Sequence, residues 1–284
     1  MSLAAQLQQY ASRQVVARGA AVSYRESGSP GYSGPATHVL LHGIGSASAS
    51  WLAPRAQCAQ AGAPACRLLA WDAPGYGESE ALPAQRPSAA DYAHRMWDWL
   101  DASGAAGQPF TLVGHSLGAL MAARAALLHP QRVARLVLLA PAQGYARAEA
   151  AVREKKLSDR LASLAQHGPA GMAKRRASAM LSPQASTAQI DFVEQVMAAI
   201  HPGGYTQAAH MLSGGDLRHD LEQLACPRTI ASGSADTVTP PEGCQALASA
   251  LVIPYVSLGP VGHSCALEAG AAVNRLLGIA GEGV

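Results

Sequence analysis

Phe110-Thr-Leu-Val-Gly-His-Ser-Leu-Gly-Ala-Leu-Met-Ala-Ala123 is the stretch from which the rest of the chain is best read. An apolar, strand-like run enters it and a run of small helix formers leaves it. Between them lies Gly114-x-Ser116-x-Gly118. A strand that turns sharply into a helix holds its central serine in a strained backbone conformation, and the flanking glycines leave room where a Cβ would clash. The hydroxyl is then presented at the carboxyl end of the strand. The N-terminus of the next helix points at the same spot and favours negative charge developing there. With 28 glycines in 284 residues, the bare pattern also fits an ordinary strand-to-helix turn. The stretches around it decide between the two.

Upstream, His38-Val-Leu-Leu-His-Gly-Ile-Gly45 reads as a buried strand running into a glycine-containing loop. Such a loop can bring a backbone N–H to a substrate carbonyl oxygen. The N–H of Ile44, with Gly45 as second choice, pairs with that of Leu117 as a two-donor oxyanion hole. Each such donor is worth about two to three orders of magnitude in rate. Leu68-Leu-Ala-Trp-Asp72-Ala-Pro-Gly-Tyr-Gly-Glu-Ser79 is a strand and a Pro-Gly turn, read as scaffold. Asp72 precedes the serine, whereas elbow-type triads run Ser, then Asp or Glu, then His.

Downstream, Arg228-Thr-Ile-Ala-Ser-Gly-Ser-Ala-Asp236-Thr-Val-Thr-Pro-Pro241 places an acid at a strand end, before a helix opened by proline. That acid can accept the Nδ1–H of a histidine, fix its tautomer and stabilise the imidazolium. Its rivals, Asp216 and Asp220, sit in a polar stretch without a strand end. Of ten histidines, His263 alone stands third in the order Ser116, Asp236, His263, on a loop after the final strand candidate. His42 and His115 adjoin the two turns and read as their supports. An imidazole suits proton shuttling near neutral pH.

On His42-Gly43, Asp72 to Ser79, Gly114 to Gly118, Gly233-Ser-Ala-Asp236 and Gly262-His263, nearly the whole chain resembles the α/β-hydrolase superfamily. It is most similar to the esterase and lactonase branch, and the Asp236-Thr-Val-Thr-Pro-Pro241 stretch and the Gly262-His263 to Glu268 tail resemble enol-lactonases. The resemblance implies a twisted, mostly parallel sheet with helices on both faces and a helical cap inserted over the site. It also implies cleavage of a small ester, thioester or lactone through an acyl-enzyme, with neither metal nor organic cofactor. A cofactor-free C–C bond hydrolase or perhydrolase on the same residues is the alternative chemistry. A ligand-binding protein on a retired scaffold is the alternative class, since fold does not fix function. In C–C hydrolases of the meta-cleavage type a Trp usually follows the histidine; here Ser264 and Cys265 do.

Strand candidates fall at 13–17, 21–26, 39–41, 68–71, 110–113, 133–139, 229–231 and 255–258. Helical runs fall at about 53–61, 89–102, 119–128, 242–251 and 268–277. The alternation predicts a parallel sheet with its ligand beyond the carboxyl ends of the strands. It stops between Pro141 and Gly215, so residues 1–141 and 216–284 are expected to form the core and 142–215 the cap. Leu157, Leu161, Leu164, Met172, Met180, Leu181, Phe192, Val196 and Met197 are expected to roof the pocket or pack between cap helices. Arg147, Arg153, Lys155, Lys156, Arg160 and Lys174-Arg-Arg176 make the segment basic, either as a solvated face or as a site for an anionic substrate.

At 49% hydrophobic the chain can bury a large core, and at a net charge of +2 it shows no basic stripe for nucleic acid. No stretch reads as a signal sequence or a membrane span. The reading is a cytoplasmic enzyme with a small-molecule partner; nothing opposes a homo-oligomer. The five cysteines, Cys58, Cys66, Cys226, Cys244 and Cys265, are expected to be free thiols, with Cys265 packed beneath the His263 loop.

Overall fold

The computed structural model describes residues 2–280. Its elements in chain order are α1 (Leu3–Gln8), β1 (Ser12–Ala17), β2 (Ala20–Gly28), β3 (His38–Leu41), α2 (Leu52–Cys58), β4 (Arg67–Trp71), α3 (Ala89–Ala102) and β5 (Phe110–His115). They continue with α4 (Gly118–Leu128), β6 (Val133–Leu139), α5 (Ala150–Arg176), α6 (Thr187–Ala198), α7 (Pro202–Gly214), α8 (Leu217–Gln223) and β7 (Arg228–Ser232). The chain closes through α9 (Pro241–Ala250), β8 (Tyr255–Ser257), α10 (Cys265–Glu268) and α11 (Gly270–Leu277).

The strands form one sheet in the order β1-β2-β4-β3-β5-β6-β7-β8. β1 and β2 pair antiparallel, as does β2 with β4; every other pairing is parallel. This is the mostly parallel α/β-hydrolase architecture expected from the sequence. The central strands are mostly apolar, as in His38-Val-Leu-Leu41 and Leu136-Val-Leu-Leu139, because both faces are covered. Alternation sorts them: Val39, Leu69, Leu112 and Leu138 pack into one core, and Leu40, Leu68, Val113 and Val137 into the other. The first core holds the buried sides of α3 and α4. The second is closed by Trp51, Cys58, Val273 and Leu277. β3, β5, β6 and β7 therefore end together at one edge, in register, and the loops that leave them meet there.

Element boundaries move by a few residues from expectation. The helix expected at 53–61 ends at Cys58, the last helix is split at Ala269 into α10 and α11, and α1 was not anticipated. Between β6 and β7 the segment is helical, as read. α5 is broken at Gly168, whose φ is 60°, immediately before Pro169. Proline has no N–H to continue the ladder and its ring clashes with the preceding turn.

The cysteine reading needs correction. Cys58 and Cys66 form a disulfide; Cys226, Cys244 and Cys265 are free. The end of α2 and the approach to β4 bring the two Cα atoms to 5.9 Å across a short loop, a separation that a disulfide spans. Spacing alone gave no sign of this juxtaposition. The cytoplasmic reading thus loses one premise, that all thiols are free. Among the described residues no helix is long and apolar enough to cross a membrane.

Candidate active site

Ser116 sits at the turn from β5 to α4 with φ at +53°, the left-handed region that costs a non-glycine residue about 1–3 kcal/mol. The turn is held from both sides. The Ser116 N–H donates to the Leu139 carbonyl at 3.0 Å, and the Ser116 carbonyl accepts from Ala119 and Ala142 at 3.1 and 3.0 Å. The flanking glycines are required by close approach. A Cβ on Gly118 would lie 2.2 Å from the Leu41 carbonyl oxygen, and one on Gly114 would lie 2.5 Å from that of Gly118.

Asp236 and His263 are brought together from the ends of β7 and β8. His263 Nδ1 lies 2.8 Å from Asp236 Oδ2, and both residues are buried. Both oxygens of the carboxylate accept hydrogen bonds. Oδ1 accepts the N–H groups of Val238 and Thr239 at 2.7 and 3.0 Å. The Thr239 hydroxyl lies 2.9 Å from Oδ2 and 3.0 Å from the Ala140 carbonyl, and its one proton serves one of them at a time. Burial alone would raise the Asp236 pKa, but the bonds from His263 and from the two backbone N–H groups outweigh it and hold the carboxyl below its ordinary value. The neighbouring aspartates have other duties. Asp216 caps α8 through the His219 N–H and pairs with Arg147, and Asp220 pairs with Arg124. Asp72 accepts from the Ser23 hydroxyl and the Ser48 N–H, tying down the loop that carries Trp51.

The two supporting histidines act on loops. His42 Nε2 accepts the Ala73 N–H at 3.0 Å, so its Nδ1–H donates to the Gly43 carbonyl at 2.8 Å. His115 Nε2–H donates to the His263 carbonyl at 2.8 Å, and the two rings pack 4.8 Å apart. Burial, and then the neighbouring His263, push the His115 pKa down to about 3, so His115 is neutral at physiological pH.

Ser116, His263, Ile44, Gly45 and Leu117 all line one cavity of about 280 Å³. The N–H groups of Ile44 and Leu117 donate to no protein acceptor among the described residues. The Ile44 carbonyl is turned away, held at 2.6 Å by the buried Tyr76 hydroxyl. No hydrogen bond joins Ser116 Oγ to His263 among the described residues; such contacts often tighten only in the Michaelis complex. Of the expected roof residues, Met172, Met180, Phe192, Val196 and Met197 line the cavity, while Leu157, Leu161, Leu164 and Leu181 do not. Cys265 is fully buried in the second core, and burial pushes its thiol up to about 12. Cys244, which drew no attention in the sequence, does reach the cavity wall.

Sequence reasoning also missed the brace at Glu268. Its carboxylate accepts the Gly262 N–H at 2.8 Å, the Ser182 N–H at 3.0 Å and the Ser182 hydroxyl at 2.6 Å. The Ser264 N–H donates to the Met180 carbonyl at 2.7 Å. These bonds tie the His263 loop to the chain between α5 and α6. The sequence showed Glu268 only as part of the tail that resembles enol-lactonases, with no sign of its partners.

The model of the alpha/beta hydrolase family matches residues 39–276. The putative carbamate hydrolase RutD of Shigella flexneri is 26% identical over 265 residues, covering 88% of this chain and 92% of that one. An uncharacterized Mycobacterium tuberculosis (strain ATCC 25618 / H37Rv) protein is 39% identical over 107 residues; the match takes in 38% of this chain but only 29% of that protein's length. Among solved structures, an esterase from Exiguobacterium antarcticum superposes with a TM-score of 0.80 at 18% identity, over 94% of this chain and 98% of that one. The enol-lactonase from Burkholderia xenovorans LB400 does so with a TM-score of 0.78 at 19% identity, over 93% and 98%. At these identities the two structures speak for the fold alone. The match over residues 39–276, on a sheet of this topology, places the chain in the alpha/beta hydrolase family.

Proposed function

We propose that this hydrolase cleaves a small ester, thioester or lactone through Ser116, His263 and Asp236, with residues 142–215 serving as a cap over the site. The observation that carries the reading is the buried 2.8 Å contact between Asp236 and His263, opening onto the cavity that holds a strained Ser116. In this reading His263 takes the Ser116 proton as Oγ attacks the acyl carbon. The oxyanion that forms is met by the N–H groups of Leu117 and Ile44, which have no protein acceptor among the described residues. Asp236 keeps the proton on Nδ1, so Nε2 is the basic nitrogen, and it stabilises the imidazolium. His263 then protonates the leaving group, and a water activated by the same base releases the acyl group from Ser116.

The cavity volume favours small acyl and alcohol groups. Ser116→Ala is expected to lower kcat on short-chain esters by about four to six orders of magnitude with an unchanged thermal midpoint. An alanine variant that keeps wild-type turnover would refute the proposal.

A further inference from the structure

The cavity wall is electrically one-sided. Arg160 and Arg176 line it, and among the described residues no Asp or Glu does. The other basic residues of the same segment are spent elsewhere or point away. Arg147 pairs with Asp216 and Glu222, Lys155 pairs with Asp159, and Arg153, Lys156, Lys174 and Arg175 do not reach the cavity. Neither Arg160 nor Arg176 has an ion pair among the described residues; Arg160 makes one long contact, 3.4 Å, to the Tyr145 hydroxyl. Arg160 comes in with Tyr145, on the chain that leaves β6. Arg176 comes in one turn before Met180, whose carbonyl holds the His263 loop. Both are partly buried, so water screens them less than a surface pair.

We propose that Arg160 and Arg176 bind a carboxylate carried by the substrate, remote from the scissile carbonyl. A guanidinium fork matches a carboxylate in two parallel hydrogen bonds, which a solvated surface lysine does not. The wall of the cavity that holds Ser116 and the two arginines is otherwise largely apolar, with Met172, Phe192, Val196 and Met197. The substrate class is therefore a half-ester, thioester or lactone in which a short apolar chain separates the reacting carbonyl from the anion. This inference rests on the hydrolase reading above.

The test uses two matched pairs: monophenyl adipate against phenyl hexanoate for the acyl side, and 4-acetoxybutanoate against pentyl acetate for the alcohol side. The wild type should favour the charged member of at least one pair by about tenfold or more in kcat/KM, the worth of one charge-assisted hydrogen bond. Arg160→Gln and Arg176→Gln should each remove most of that preference through KM, leaving the neutral partner within about twofold. Equal or better turnover of the neutral member in both pairs overturns the proposal, as does a preference that survives both substitutions. If no ester is hydrolysed, the hydrolase reading fails but the anion site stays testable by titration calorimetry with adipate. Wild-type binding weakened about tenfold by either Gln variant supports the site, and no adipate binding rejects it.

Discussion

The strand ends and the helical segment above them solve opposite problems. At the strand ends nearly every polar atom has a partner. Asp236 accepts on both oxygens, His42 and His115 each hold a neighbouring carbonyl, and Ser116 is fixed by three backbone bonds. In the segment from α5 to α7 the cavity wall is built largely from methionine, valine and phenylalanine, and its two arginines pair with no carboxylate among the described residues. Methionine fills irregular space and adapts to what enters. A reaction needs one geometry, held to fractions of an ångström, whereas recognition can use a wall that yields. Over-determination by hydrogen bonds below and adaptable packing above are what this division of labour requires.

Substitutions in the two regions should therefore fail differently. After Ser116→Ala, the largest effect is expected at Asp236→Asn. The amide would leave His263 in the wrong tautomer and cost about three to four orders of magnitude in kcat, with KM nearly unchanged. A loss appearing mainly in KM would place Asp236 on the recognition side and break the comparison.

A second effect is on stability and follows from His115. Its folded pKa lies near 3, below the ordinary value of 6.5, so between these pH values the unfolded chain binds the extra proton and folding loses stability as pH falls. The loss should reach about 2–3 kcal/mol by pH 4.5. His115→Gln keeps a donor for the His263 carbonyl without the titration. Its thermal midpoint should fall less than that of the wild type between pH 7 and 4.5. Parallel midpoints in the two proteins would show that His115 is not held neutral by burial.

The smallest effect is expected in the roof. Val196→Ala trims one side of the cavity wall and should move the preferred acyl chain length upward by about one or two carbons, with kcat on an acetyl ester changed by less than about threefold. A large loss of kcat on the acetyl ester would mean that the roof positions the reacting atoms and does not merely admit the substrate.

What could be read in the sequence tracks the same division. The sheet was legible because its strands are short apolar runs bounded by Gly and Pro, and because chemistry falls at strand ends in this architecture. Order and local context single out Ser116, Asp236 and His263 as candidates, and the structure brings Asp236 to His263 and His263 into the cavity of Ser116. Contacts made between loops leave no periodic trace. Glu268 reaching Ser182 and Cys58 meeting Cys66 depend on how loops fold over each other. The basic character of residues 147–176 was visible, but which two arginines face inward depends on the break at Gly168-Pro169 and on packing above the cavity.

The most direct test of the account is covalent labelling with a fluorophosphonate, mapped by peptide mass spectrometry, on the wild type and His263→Ala. The account predicts stoichiometric labelling at Ser116 in the wild type and its near-complete loss in His263→Ala, since the serine is nucleophilic only beside its base. A folded wild type that is not labelled, or labelling that survives in His263→Ala, would contradict it.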